Sequence, residues 1–169
     1  MNKPLPDAED LLARLAELIR ASMTSDTALI GIHTGGVWLA QRLHKALGLR
    51  QPLGTIDVSF YRDDYSSRGL HPKVRPSDIP FDVAEADIIL VDDVLNTGRT
   101  IRAAMNELFD YGRPRSIRLA ALIDRGGRQL PIAAQFIGAE ISVADEGQIE
   151  LTKDENDQLS LVLNRQGAA

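Results

Sequence analysis

The chain has 169 residues, 44% of them hydrophobic and 25% charged, with 19 Lys and Arg against 24 Asp and Glu for a formal net charge of −5. That length suits one domain spanning residues 1–169, and the composition is too apolar for a disordered chain. The absence of cysteine excludes disulfide staples, cysteine zinc sites, iron–sulfur clusters and thiol nucleophiles, while the acidic balance argues against a surface coated with nucleic-acid contacts but leaves room for a local basic patch.

The opening Met1-Asn2-Lys3-Pro4-Leu5-Pro6-Asp7 lacks the basic-then-apolar layout of a signal peptide. No apolar stretch approaches the ~20 residues that a bilayer span needs. The most apolar one, from Ala28 to Ala40, is broken by His33, Thr34, Gly35 and Gly36. The sequence therefore predicts a cytoplasmic protein with no membrane contact.

Pro6-Asp7 followed by Leu11, Leu12, Leu15, Leu18 and Ile19 has helical spacing, with acids near the start where the helix dipole favours them. Ala28-Leu29-Ile30-Gly31-Ile32 reads as a buried strand, His33-Thr34-Gly35-Gly36 as a turn, and Val37, Leu39, Ala40, Leu43 and Leu47 as a second helix stopping at Gly48. Thr55 to Tyr61 alternates like a strand. From Arg62 to Pro80 the pattern disappears, and Arg62, Arg68, Lys73 and Arg75 accompany prolines at 72, 76 and 80. A structureless loop of that length in a compact domain is commonly functional, and it is predicted to be a mobile basic lid.

Ile88-Ile89-Leu90-Val91 is a fully apolar strand ending at Asp92-Asp93. Ile101, Met105, Leu108 and Phe109 mark the next helix, closed by Gly112 and Pro114, and Ile117 to Ile123 the next strand. Strand, helix and strand in this order require a parallel pair. Short apolar alternations around Phe136-Ile137 and Leu159 to Leu163 read as an antiparallel appendage within about residues 128–169. The predicted architecture is α/β: a central parallel sheet flanked by helices, with a small antiparallel hood and a lid.

In an open parallel sheet ligands bind beyond the carboxyl ends of the strands. Three loops qualify: 33–36, 92–100 and 124–127. The central one, Asp92-Asp93-Val94-Leu95-Asn96-Thr97-Gly98-Arg99-Thr100, is the most informative. Thr97 to Thr100 sits at a helix start, where amides point outward and the dipole favours an anion, and Gly98 lets the main chain come close. These residues suit a phosphate monoester. Asp92 and Asp93 cannot hold phosphate directly, but they can accept hydrogen bonds from ribose hydroxyls or bind hydrated Mg²⁺. Each half alone is also an ordinary strand end or turn; the strict succession of apolar strand, paired acids, Thr-Gly turn and helix is what singles the loop out. The chain has neither a Gly-x-x-x-x-Gly-Lys-Ser/Thr loop nor a Gly-x-Gly-x-x-Gly turn. His33 lies close to the site, although a lone histidine beside a turn is more often structural; His44 and His71 fit no ligand spacing, so no dedicated protein metal site is expected.

The stretch Ile88–Thr100 resembles the phosphoribosyl-pyrophosphate (PRPP) signature of the type I phosphoribosyltransferases. The wider sequence is similar to the PyrR group of pyrimidine-operon regulators and uracil phosphoribosyltransferases. Supporting segments are Gly31-Ile32-His33-Thr34-Gly35-Gly36, Tyr61-Arg62-Asp63-Asp64, Tyr111-Gly112-Arg113-Pro114, Asp124-Arg125-Gly126 and Gln129-Leu130-Pro131-Ile132. The resemblance implies that PRPP and uracil react to uridine monophosphate (UMP) and pyrophosphate, with Mg²⁺ bound mainly through PRPP. Asp92 and Asp93 would hold the ribose, residues from Val94 and Leu95 through Asn96, Thr97, Gly98, Arg99 and Thr100 would line the PRPP site, and Thr34-Gly35 would offer amides to pyrophosphate. Arg62 would neutralise the leaving group as the lid closes, Arg125 would help form the uracil pocket, and the chain would assemble as a homo-dimer or larger.

Two departures from the group stand out. Gly35 takes the place of a basic residue in the pyrophosphate turn, and Ala139 stands where relatives often carry lysine. RNA binding, the group's regulatory role, needs a basic surface. The first helix is net acidic, leaving Arg113, Arg115, Arg118, Arg125 and Arg128 as the candidate cluster. A nucleotide-sensing RNA attenuator with vestigial catalysis, and an enzyme for another nucleobase, are the alternatives. A phosphoacceptor receiver domain is a weaker third, because its acids would follow the first strand.

Overall fold

Helix α1 (Ala8–Arg20) begins where Asp7 accepts a hydrogen bond from the Asp10 amide at 3.0 Å, with Glu9 and Asp10 at the positive end of its dipole. Its Leu11, Leu12, Leu15 and Ile19 are buried, as their spacing predicts. The computed structural model describes residues 4–58, 77–143 and 147–165. No helix among these residues is long and apolar enough to cross a membrane.

Strand β1 (Thr27–Ile32) is buried at every position. Helix α2 (Gly35–Leu47) follows and ends at Gly48 in the left-handed conformation. Strand β2 (Gly54–Ile56) comes next, then β3 (Asp87–Leu95), buried from Ile88 through Asp92. Unbroken buried runs of this kind belong to strands covered on both faces. Leu15, Ile19, Leu39 and Leu43 pack with Leu29, Ile89 and Val91 on one side of the sheet. On the other side, Ile101, Ala104 and Leu108 of helix α3 (Arg99–Tyr111) pack with Ile30, Ile88 and Leu90.

Strands β4 (Ser116–Asp124) and β5 (Phe136–Glu140) complete a five-stranded sheet in the order β2-β1-β3-β4-β5, parallel at every junction. Leu29 pairs with Ile89, Leu90 with Leu119 and Ala121 with Ile137. The antiparallel hairpin of β6 (Gly147–Lys153) and β7 (Leu159–Arg165) docks on the α1/α2 side through buried Ile149, Leu151 and Leu159. Glu9 ties it down by accepting from the Leu159 amide and from Arg42, each at 3.0 Å.

Two expectations need correction. Phe136-Ile137 is no part of the antiparallel appendage but the parallel edge strand β5. An edge strand covered on one face alternates in polarity just as a hairpin strand does, so the two patterns coincide. Residues 62–76 of the expected lid, Arg62 among them, lie outside the described residues. Its last part is tied to the sheet and to α3: Asp78 forms an antiparallel bridge to Thr55, with main-chain hydrogen bonds of 2.7 and 2.9 Å, and Ser77 donates to Glu107 of α3.

At the start of β3, away from the strand ends where a ligand is expected, Arg115 and Ser116 donate to Asp87. The Arg115 guanidinium holds the Asp87 carboxyl below the usual carboxylate range. A depressed folded-state pKa contributes stability above the unfolded value, and that contribution disappears as pH falls through the folded value. Asp87→Asn should therefore lower stability at neutral pH. In urea titrations at successive pH values, the gap to the parent protein should close in acid. A gap of constant size across the range would contradict the assignment.

Candidate active site

The sheet changes winding direction between β1 and β3. From β1 the chain crosses through α2 to β2 on one side, and from β3 through α3 to β4 on the other. The adjacent carboxyl ends of β1 and β3 flank the crevice where such sheets bind ligands. Both helices that leave this crevice differ from α1. Their cap residues, Thr34 and Gly98, make no side-chain cap hydrogen bond, and neither helix has an acid in its first turn. Two positive helix ends are thus left for an anion to occupy.

Between these helix ends stand the paired acids. Asp92 is only 2% exposed, and its Oδ1 accepts from the Asp93 amide at 3.0 Å; Asp93 Oδ1 accepts from the Val94 amide at 2.8 Å. Strand alternation sends Asp92 to the α3 face and Asp93 to the α2 face. Asp93 rests directly on the turn before α2. A Cβ on Gly35 would fall 2.8 Å from Asp93 Cγ and closer still to Oδ2, and one on Gly36 would strike the Val91 carbonyl oxygen. Only hydrogen at both positions lets the start of α2 come this close to β3. The peptide joining His33 to Thr34 is cis, and Thr34 is exposed at the mouth of the turn.

After Leu95 the chain turns into α3. Thr97 Oγ1 accepts from the Arg99 amide at 3.2 Å, and the Thr97 carbonyl accepts from the amides of Gln129 and Leu130 at 2.9 and 3.2 Å. Gly98 has φ +93°, and a Cβ there would lie 3.0 Å from Ile132, so both conformation and space demand glycine. Arg99 donates from Nε to Gln129 at 2.9 Å. The loop after β4 lies alongside. The Arg125 amide donates to the Leu95 carbonyl at 2.9 Å. Oriented by its hydrogen bonds, the Asn96 side chain accepts from Arg125 Nη1 at 3.2 Å and donates to the Gly126 carbonyl at 2.9 Å.

Thr34, Gly35 and the stretch from Asp92 to Thr100 thus meet at one end of the sheet, with Arg125 beside Asn96; Arg62 falls outside the described residues. Sequence reasoning placed Gly36 in a candidate loop without a role of its own, and gave Gln129 and Arg128 no part in this site. No local signal marks Arg128: a spacing of four predicts a side-chain pair only on a helix, whereas residues 125–129 form a loop in which Arg128 nonetheless pairs with Asp124. The five arginines of the candidate RNA cluster do not form one patch. Arg115 is engaged by Asp87, and Arg118 donates to Ser22 and lies over the Phe136 ring. Both stand by the start of β4, whereas Arg125 and Arg128 follow its end.

The donor set also suits a particular kind of metal binding. The carboxylate oxygens of Asp92 and Asp93 are hard donors that fit a hydrated Mg²⁺, which would be held mainly through substrate phosphate oxygens and would supply charge neutralisation there.

Comparison with known proteins agrees with this geometry. Residues 3–152 match the family model for the phosphoribosyl transferase domain. The "Bifunctional protein PyrR" of Pseudomonas savastanoi pv. phaseolicola is 52% identical over 155 residues, covering 89% of this chain and 91% of the relative. The protein of the same name from Pseudomonas fluorescens is 50% identical over 161 residues, covering 93% and 96%. Among solved structures, a hypoxanthine-guanine phosphoribosyltransferase from Bacillus anthracis superposes with a TM-score of 0.65 at 19% identity, covering 83% of this chain and 85% of that one. The hypoxanthine phosphoribosyltransferase of Trypanosoma cruzi gives 0.63 at 22%, covering 82% and 80%. At those identities the likeness speaks for the fold alone. With a sheet wound this way, acids leading into an uncapped helix, and half of its residues shared with named relatives over most of their length, the chain belongs to the PyrR family of phosphoribosyltransferase-domain proteins.

Proposed function

We propose that the chain is an Mg²⁺-dependent uracil phosphoribosyltransferase that makes UMP and pyrophosphate from uracil and PRPP. One observation carries the reading: Asp92 and Asp93 lead directly into the uncapped start of α3, while the start of α2 is pressed against Asp93. Acceptors for two ring hydroxyls and donors for two separate phosphoryl groups then surround one pentose. Uracil as the base rests on kinship with PyrR, since this geometry specifies the phosphoribosyl side of the reaction.

In the reaction, the anomeric C–O bond to pyrophosphate breaks and the bond to a uracil nitrogen forms. Positive charge gathers on the ribose ring, and negative charge on the departing pyrophosphate. Bound Mg²⁺ supplies charge neutralisation to the pyrophosphate. The remaining contribution comes from this chain. Amides from Asn96 to Thr100 fix the 5′-phosphate, Asp92 and Asp93 accept from the ribose hydroxyls, and the Thr34-Gly35 amides receive pyrophosphate. Arg62 adds charge to the leaving-group side, and Arg125 frames the base. Positioning and preorganised electrostatics therefore carry the rate, without a strong general base.

We read the protein as a cytoplasmic homo-oligomer with one domain. The relatives' name, bifunctional, extends the reading to regulation of pyrimidine genes. The division of the arginine cluster between the two ends of β4 disfavours an RNA surface built on those five residues, and with it the attenuator with vestigial catalysis.

Labelled uracil, PRPP and Mg²⁺ should yield labelled UMP, with hypoxanthine, guanine and other bases giving little product; no product from any base would sink the activity, and a preference for a purine would reassign the substrate. Asp92→Asn combined with Asp93→Asn should cut turnover by about 10²-fold or more with the thermal midpoint nearly unchanged; undiminished turnover would show the acids misassigned. Gly35→Ala must push Asp93 aside, so the Michaelis constant for PRPP should rise about tenfold in steady-state kinetics while that for uracil moves little. Equal constants in variant and parent would mean that Asp93 has no part in holding the sugar.

A further inference from the structure

The loop that follows β4 is joined to the phosphate loop by main-chain hydrogen bonds at its two ends, Arg125 to Leu95 and Gln129 and Leu130 to Thr97. Between those ends the chain passes through Gly126 and Gly127, both with positive φ. A glycine pair has little stiffness of its own, so the Asn96 side chain, bonded to the Gly126 carbonyl and to Arg125, and a second contact must hold the middle of the loop. Arg128 spans that gap. Its Nη1 donates to the Asn96 carbonyl and its Nη2 to Asp124 Oδ2, each at 2.6 Å. The other Asp124 oxygen accepts from the Gly126 amide at 2.9 Å. Both side chains are mostly buried, at 25% and 13% exposed. A charge-assisted contact held out of water is stronger than a surface ion pair, and the planar guanidinium fixes the angle between its two acceptors.

We propose that Arg128 is a positioning residue: its guanidinium clamps the nucleobase-side loop, residues 124–129, to the phosphate loop at Asn96, and so sets where the base stands relative to the anchored pentose. The proposal rests on the phosphoribosyltransferase reading above. One arm of the fork holds the carboxylate that shapes the Gly126 turn. The other holds the main chain of the residue that opens the phosphate loop. Since the 5′-phosphate cup is carried by β3 and α3, loosening this clamp displaces the base far more than the sugar. Lysine cannot replace it, because one ammonium offers a point charge in place of two arms at a set angle.

The test compares Arg128→Ala and Arg128→Lys with the parent protein in steady-state kinetics, thermal melts and amide hydrogen exchange. Arg128→Ala should raise the Michaelis constant for uracil about tenfold and lower kcat by less than that, with the constant for PRPP close to the parent value and the thermal midpoint lowered by the loss of the ion pair. Arg128→Lys should recover only a small part of the loss. Exchange at the Gly126, Gln129 and Leu130 amides should quicken in Arg128→Ala, while amides of β1 and β3 stay protected. A residue with a purely structural role would lower the midpoint and the active fraction and leave both Michaelis constants alone; that result overturns the proposal, as does unchanged exchange in the loop. If the parent protein itself makes no UMP, the enzymatic reading fails by that measurement. The clamp is then judged by loop exchange alone, and slow exchange at all three amides in Arg128→Ala would refute it separately.

Discussion

Everything at this site depends on how near the first turn of α2 comes to strand β3. Two hydrogens, on Gly35 and Gly36, stand where any side chain would meet Asp93 or the Val91 carbonyl. That clearance sets a carboxylate beside the positive end of a helix, an arrangement favourable to the charge of both. It also brings the turn after β1 against the carboxyl end of β3. Parallel strands alone would place the two side by side without joining them.

The helices divide their labour according to how they begin. Helix α1 carries its own cap and acidic first turn, and it serves the core by covering the sheet and receiving the hairpin through Glu9. The cap residues of α2 and α3 make no side-chain cap hydrogen bond and neither first turn holds an acid, so neither helix offsets the positive end of its dipole with a residue of its own. A substrate with phosphoryl groups at both ends matches this pair of open helix ends, and the acids between them match the hydroxylated ring that joins the two. In the proposed reaction, main-chain geometry would prepare the binding of such a substrate, with side chains adding direction.

Much of this was readable from residue order. The apolar runs at Ala28–Ile32 and Ile88–Val91, buried on both faces, announce central parallel strands, and the acids and Thr-Gly turn lie contiguous with the second of them. What escaped was non-local or ambiguous. The contact between Gly35 and Asp93 joins positions far apart in the chain, and nothing in the local pattern at either one reports it. β5 alternates because it lies at the sheet edge, a pattern that antiparallel strands share. Arg128 looks like one of several surface cations until the loop closes and turns it inward onto Asp124 and Asn96. The regular core follows from periodicity, whereas the precise fit of the loops follows from packing across the fold.

The bridge between Asp78 and Thr55 has a consequence at the margin of the sheet. Strand β2 is three residues long, and alternation turns one of them, Thr55, with both its amide and its carbonyl outward. Asp78 takes both groups. Among the described residues of β2 no outward rung is left vacant, so a second molecule cannot zip onto Gly54–Ile56 and extend the sheet into a fibril-like stack of neighbouring chains.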